Sequence, residues 1–569
     1  IHFNSLDKAL KRFQIDRKEV FIMLSNSSNK AFGKNNFTSL LIPLVCSVLI
    51  TALLFSGCTM VGPDFVKPEA PVQSEWIESR HPEIKTEPAD YRDWWTVFND
   101  PVLNRLVESA YQQNLTLQIA GLRIFQTRAQ LGVLIGNVYP QTQQGRGAAE
   151  YNHLSENSPN SINIDDSFWQ YNAGFDVTWE LDIWGKFRRA IESGVADLES
   201  SIADYDDVLV SLTAEVARVY VLLRTFEERL EIARQNVEIQ QGSLDIAEIR
   251  FKAGAVTELD VAQAKSLLRS TEASIPRFEL GVRQAKNALA ILLGKLPGEI
   301  DTMLSGPKLI PKAPPQVVVG IPAELLRRRP DIRLAEFQIA TQTPLVGVSK
   351  ADLFPAFELF GAFGLLTSSS RNTKAGGRDG SDFGDLFESD SFEFFGGPGF
   401  RWNLFNYGRI TNQVRIEDAL LQQLIVNYED TVIKAQQEVE DSLVGFLRRQ
   451  EEARFLLGSV EASQRSVDLS MLQYKEGLVD YQRVLDSQRF LTDLQDVWTA
   501  TRGDAIVNLV AMYKALGGGW QIREGQRFVA AKNIDAMRER TNWGNLLEPE
   551  AVVTPASAKE RQQWRWPDW

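Results

Sequence analysis

Carboxylates are the only abundant groups in this sequence that could do chemistry on a substrate. Asp176, Glu180 and Asp182 stand at even positions of one segment, and a pair of such groups can act as general acid and base. Nothing beside them completes a site. The histidines are His2, His81 and His153 and the cysteines Cys46 and Cys58, so no multi-histidine metal centre, CxxC cluster or disulfide framework can be assembled. The three carboxylates read as the polar lining of a surface, and the chain is expected to be no enzyme and to carry no cofactor or metal. Asp486 and Arg489 lie three apart and by spacing alone form a surface ion pair worth a few tenths of a kcal/mol. With 74 acidic against 61 basic side chains and a net charge of −13, nucleic acid is a poor partner, because neutralising phosphates takes clustered cations.

A different chemistry is written near the start. Met23 opens a stretch with Lys30 and Lys34, followed by the apolar run Leu40 to Phe55 and then Ser56-Gly57-Cys58. A positive region, an apolar core and small residues before a cysteine make a secretory signal. The ending looks like a bacterial lipobox, with Phe55 where leucine is usual, and implies that the Cys58 thiol takes a diacylglycerol. An uncleaved transmembrane anchor is the alternative, and Pro43 interrupts it. Residues 1–22 are then a non-native upstream segment, 23–57 the signal peptide and 58–99 a lipid-anchored N-terminal segment. Thr59 after the cysteine, where Asp would favour the inner membrane, directs the protein to the cell outer membrane, extending into the periplasm.

The 569 residues exceed what one core supports, and an internal repeat organises them. Trp179-Glu180-Leu181 falls on Trp402-Asn403-Leu404, Glu215-Val216 on Glu438-Val439, and Phe251-Lys252-Ala253-Gly254 on Tyr474-Lys475-Glu476-Gly477, a shift of 223; upstream, Tyr139-Pro140 falls on Phe354-Pro355, a shift of 215. Two repeats, 100–310 and 311–520, each read as helix, β-hairpin, long helix and helix, with 521–569 as a polar tail. Each long helix is free of proline. In the first, apolar residues from Ile191 through Tyr205, Leu212, Val219 and Leu230 to Val237 alternate steps of three and four, a heptad seam that calls for close helix packing along its length. The second keeps the frame from Val414 to Val460, broken at Asp418, Ser442 and Arg449.

Strands are expected between the helices, in hairpins at 141–183 and 355–405. From Trp169 to Ile183 every odd residue is apolar or aromatic and the even ones are polar or glycine. That is period two over more residues than the 9–11 a transmembrane strand needs. Phe357, Leu359, Phe363 and Leu365, then Phe392, Phe394, Phe400, Trp402 and Leu404, repeat it. The partner strand after Pro140 is weak, since Gln141 to Gly147 shows no lipid face. Four strands cannot close a membrane barrel, whose smallest bacterial form has about eight, so several copies must combine.

These residues resemble the TolC-like outer-membrane factors, in their NodT or OprM lipoprotein branch. The segments that carry the resemblance span most of the mature chain: Val61-Gly62-Pro63-Asp64-Phe65, Trp179 to Gly185, Ile321 to Leu326 with Arg329-Pro330-Asp331-Ile332, Leu353-Phe354-Pro355, and Tyr513 to Trp520 with its Leu516-Gly517-Gly518-Gly519-Trp520 ending. The resemblance implies an α+β membrane protein. In it a homotrimer closes a twelve-stranded β-barrel that continues as a periplasmic α-helical coiled-coil barrel. It implies an efflux channel receiving small molecules from an inner-membrane pump of the RND type through a periplasmic adaptor (membrane fusion) protein. A duct for peptide or protein secretion and a non-transport trimeric coiled-coil envelope protein are the alternatives. The turns Arg250, Lys252, Gly254, Val256, Thr257 and Lys475, Gly477, Val479, Asp480 become the tips that meet the adaptor. Gln482, Asp486 and Arg489 become the periplasmic gate, with Gln482 where relatives carry leucine.

Overall fold

A computed structural model describes residues 60–548 apart from 88–89, 156, 158–164 and 371–382. Cys46, Cys58 and the signal, the tail beyond 548 with Trp564, Trp566 and Trp569, and much of the strand-connecting loops lie outside the described residues.

The first repeat runs α1 (Pro101–Gln113), α2 (Leu115–Gly136), β1 (Thr142–His153), β2 (Ser167–Leu181), α3 (Lys186–Lys252), α4 (Glu258–Glu272) and α5 (Ser274–Leu292). The second runs α6 (Pro330–Ala351), β3 (Ala356–Ser368), β4 (Phe392–Arg401), α7 (Arg409–Lys475) and α8 (Tyr481–Ala515). α3 and α7 are each 67 residues long, about 100 Å at about 1.5 Å per residue, and their bounds differ by the repeat shift at both ends. Each begins after a glycine in the left-handed region, Gly185 and Gly408. The single helix expected after α3 is in fact two: the nitrogen of Pro276 cannot bond to the preceding turn and its ring crowds the carbonyl there, and the helix breaks at Ala273. α8, without proline, runs unbroken for 35 residues.

The strands form one antiparallel sheet in the order β1-β2-β3-β4. Thr142 pairs with Thr178, Leu181 with Phe357 and Ala356 with Arg401. Because side chains alternate, this register gathers Phe175, Val177, Trp179, Phe357, Leu359, Phe363, Phe394 and Phe400 on one face. β1 does form, and its residues on that face are Gln143, Gly145, Gly147, Ala149 and Tyr151, small or polar save the last.

The main core sits where the long helices pass α1, α2, α5 and α6. The segment before α1 enters it with Trp94, which stacks on Tyr513 with ring centroids 5.2 Å apart. The glycine triplet after α8 fits here: Gly517 ends the helix at φ +71, and a Cβ on Gly518 would lie 2.9 Å from that of Tyr91. The polar tail also joins this core, with α9 (Ala531–Arg540) and buried Val529, Ile534, Met537 and Leu547. Arg523 reaches back to the fully buried Asp206, with Nη2 donating to Oδ2 at 2.9 Å, and Arg333 approaches the same oxygen at 3.4 Å. Asp206→Ala leaves two guanidiniums without their carboxylate and should cost about 3–5 kcal/mol, read as a lowered urea midpoint; an unchanged midpoint would show that the tail is not anchored here.

The heptad seam is dry only in part. Tyr205, Leu209, Leu212, Val216, Val219 and Leu223 are buried, whereas Phe226, Leu230 and Val237 are half-buried. Between Leu223 and Leu244 the seam of α3 with α8 is largely polar: Arg502 donates to Glu228 at 2.5 Å, Arg229 to Asp496 at 2.7 Å, Asn236 to Gln495 at 2.8 Å and Gln488 to Ser243 at 2.7 Å. Apolar spacing fixed the face but not its neighbour, and this neighbour presents amides and charges.

Candidate functional site

Three features stand out: the inner wall of the sheet, the two turns at the far ends of the long helices, and the start of α8. Opposite its apolar face the sheet carries Arg146, Asp176, Glu180, Glu358 and Arg401. Glu180 pairs directly with Glu358 across β2 and β3. Like charges so placed repel, and Arg401 from β4 lies between them, 3.7 Å from Glu180 and 3.8 Å from Glu358. Arg146 lies 3.5 Å from Asp176. The polar alternation marked Asp176 and Glu180 as lining; their arginine partners come from the neighbouring β1 and, for Arg401, from β4 of the other repeat. Asp182 does not belong to this wall. It folds back on the start of α3, where its carboxylate accepts from the backbone N–H groups of Phe187 and Arg188 at 3.1 and 3.0 Å.

Both turns after the long helices are closed by the same pair of bonds. Gly254 N–H donates to Phe251 O and Ala255 N–H to Arg250 O, each at 2.9 Å; Gly477 N–H donates to Tyr474 O at 3.0 Å and Leu478 N–H to Gln473 O at 2.9 Å. This double bond needs a left-handed residue, and Gly254 and Gly477 supply it at φ +72 and +75. A second small core lies just above, built on Leu244, Ala247, Leu268, Tyr474, Tyr481 and Val484. Val256 and Val479 pack partly against it, so these two predicted contact residues hold the turns in shape. Lys252, Thr257, Lys475 and Asp480 are exposed, and the Asp480 carboxylate caps α8 by accepting from Arg483 N–H at 3.3 Å.

Arg250 is turned inward. Its guanidinium donates to Tyr474 O, and to Lys475 O at 3.3 Å, and lies over the Tyr474 ring at 4.7 Å. It thereby adds a second donor to Tyr474 O, which already accepts from Gly477 N–H, reaches the Lys475 carbonyl near the end of α7, and ties one turn to the other. Asp260 sits beside it; burial and then the Asp480 carboxylate push its carboxyl up, while Arg250 pulls it down. Arg250→Ala should loosen the turns by about 1.5–3 kcal/mol, the scale of a hydrogen bond to a charged group, read as faster amide exchange at the end of α7; unchanged exchange would contradict the tie.

At the start of α8, Gln482, Asp486 and Arg489 are all exposed. The expected ion pair between Asp486 and Arg489 is not what the side chains make. Asp486 Oδ1 accepts from Gln482 Nε2, and Gln482 Oε1 accepts from Gln263 Nε2 on α4, both at 2.9 Å. The sequence reading missed Gln263, although the repeat shift places it on Asp486.

Among the described residues no helix is long and apolar enough to cross a membrane. The sequence profile of a family described as "Outer membrane efflux protein" matches residues 106–295 and 321–518. Nodulation protein T of Rhizobium leguminosarum bv. viciae is 30% identical over 477 residues, 83% of this chain and 92% of that one. A probable outer membrane lipoprotein, SilC, of Salmonella typhimurium is 28% identical, covering 83% and 97%. The solved outer-membrane channel OprN superposes with a TM-score of 0.74 at 31% identity, over 81% of this chain and 99% of that one.

Proposed function

The chain belongs to the outer membrane efflux protein family and is an outer-membrane efflux channel, and from that premise we propose that three copies, each acylated at Cys58, form one conduit. A periplasmic adaptor and an inner-membrane pump of the RND type deliver small molecules to it. Its turns at Gly254 and Gly477 meet the adaptor, and Gln482, Asp486 and Arg489 narrow the periplasmic end.

The observation that supports this best is the sheet. Its aromatic face suits lipid, its opposite face carries paired charges suited to water, and β1 and β4 leave both edges open. Unpaired backbone is not tolerated in a bilayer, so the edges must be closed by other strands. Twelve strands from three copies fall within the range of bacterial barrels, and the long helices would then continue the wall into the periplasm.

Deleting the gene and restoring it on a plasmid tests this reading. Accumulation of a fluorescent efflux substrate should rise several-fold on deletion and fall back on restoration. If accumulation stays unchanged while an exported peptide or protein disappears from the medium, the secretion alternative is the better one.

A further inference from the structure

The charged face of the sheet is polar along β2 and carries phenyl rings along β3 and β4. Every second side chain of a strand falls on the same face, so Phe360 of β3 shares its face with Glu358, and Phe395 of β4 lies opposite Ala362 on that same face. Neither ring belongs to the lipid side with Phe357, Phe363, Phe394 and Phe400. Both are accessible, Phe360 at 40% and Phe395 at 59% exposure. From Phe360 through Ala362 and Gly364 to Leu366 this face of β3 has no polar side chain.

The internal repeat shows what the same positions carry in the first half. The shift of 223 places Phe395 on Asn172. Thr142 pairs with Thr178, whose counterpart Arg401 pairs with Ala356, so β1 and β3 correspond at an offset of 214 (356 − 142) and Phe360 stands on Arg146. An amide and a guanidinium that water solvates are thus replaced, in one repeat only, by two phenyl rings. The two are neighbours. Phe395 sits diagonally across the ladder from Phe360, about 7–8 Å away and within reach of an aromatic side chain. The Phe360 ring lies over Gly399, where an added Cβ would stand 3.1 Å from its Cε1. Exposed apolar patches mark binding surfaces, and lipid does not account for this one, because it shares its face with the paired charges.

Charge selects the occupant. Every charged side chain of the four strands lies on this face, and adding Glu150 and Glu393 to the groups named above gives five carboxylates against two guanidiniums. Asp176 is opposite Ala362, Glu358 precedes Phe360 by two residues, and Glu393, exposed, precedes Phe395 by two. Excess negative charge beside accessible ring faces favours a cation that is itself aromatic: the carboxylates attract its charge and the rings take both its charge and its flat body. We propose that Phe360 and Phe395, with Glu358 and Glu393 beside them, form a site on the inner wall that binds organic cations with a flat aromatic body on their way outward. This rests on the reading of the chain as a conduit for small molecules, and it names one class among them and the place that class touches.

Ethidium, a flat aromatic cation, tests the site. The full protein is extracted from outer membranes and placed in phosphatidylcholine nanodiscs, and binding is read as ethidium fluorescence anisotropy. Phe360→Ala and Phe395→Ala should each weaken binding roughly threefold, the scale of one exposed cation–π contact, and the double variant roughly tenfold. Phe360→Trp should keep the wild-type affinity or raise it, since tryptophan offers the better ring face. Phe394→Ala, one residue away on the lipid side, should leave binding unchanged. Tetraethylammonium, which has the charge without the ring, and naphthalenesulfonate, which has the ring with the opposite charge, should not displace ethidium at equal concentration. No wild-type binding, wild-type affinity in the double variant, an equal loss in Phe394→Ala, or displacement by either competitor overturns the site. Ionic current from the same preparation in planar bilayers separates this from its premise. A protein that conducts but binds ethidium without help from the two rings keeps the conduit and loses the site; one that carries no current overturns the conduit and the inference with it.

Discussion

Gly254→Asp should reduce efflux to the level of a deletion strain while the protein remains in the outer membrane at full amount as intact trimers. The reasoning starts from what surrounds the residue. A Cβ placed on Gly254 meets no heavy atom within 4 Å, so the substitution does not collide with the fold. It does hold an L residue at φ +72, a local strain of about 1–2 kcal/mol. Tyr474, Tyr481, Val484 and their neighbours in the small core above the turn do not depend on it. What changes is the surface at the very end of the long helix, where a carboxylate now stands on the proposed adaptor contact. Drug susceptibility measured with trimer content on non-denaturing gels decides the matter; wild-type resistance at normal trimer content would remove the turn from the adaptor contact.

The second large effect is expected at the start of α8. Asp486→Ala removes the acceptor of Gln482, and with it the last link of a chain that runs from Gln263 on α4 through Gln482 to Asp486 on α8. In the proposed trimer three such chains would face a common axis. Three carboxylates and three guanidiniums there either attract one another or hold ions, and loss of either set should loosen the constriction. Single-channel conductance of Asp486→Ala and of Arg489→Ala trimers in planar bilayers should rise several-fold over wild type. Wild-type currents from both would mean that the constriction lies elsewhere.

Much of this architecture is readable in the residues, and the unreadable parts have identifiable causes. The long helices are legible because the absence of proline and the repeat shift fix both ends, so that Lys186–Lys252 and Arg409–Lys475 match. β2 is legible because Trp169 to Ile183 alternate without a break, overlapping all but the first two residues of the strand. β1 is not, since Gly145 and Gly147 carry no signal of their own and the strand takes its register from β2. The packing of the tail is hidden because Val529, Ile534, Met537 and Leu547 are scattered among charged residues, and only contact with the core separates them from a solvated segment. The site is legible as positions rather than as contacts. Spacing locates Arg250 at a tip and Asp486 three from Arg489, but the carbonyl of Tyr474 and the amides of Gln482 and Gln263 come from turns and helices that only the fold brings together.

Everything here depends on the sheet being one third of a closed wall. Native mass spectrometry of the protein extracted from outer membranes in detergent tests that most directly. Three chains in one lipid-bearing complex are predicted, and a single chain that remains in solution after the detergent is removed would contradict the account.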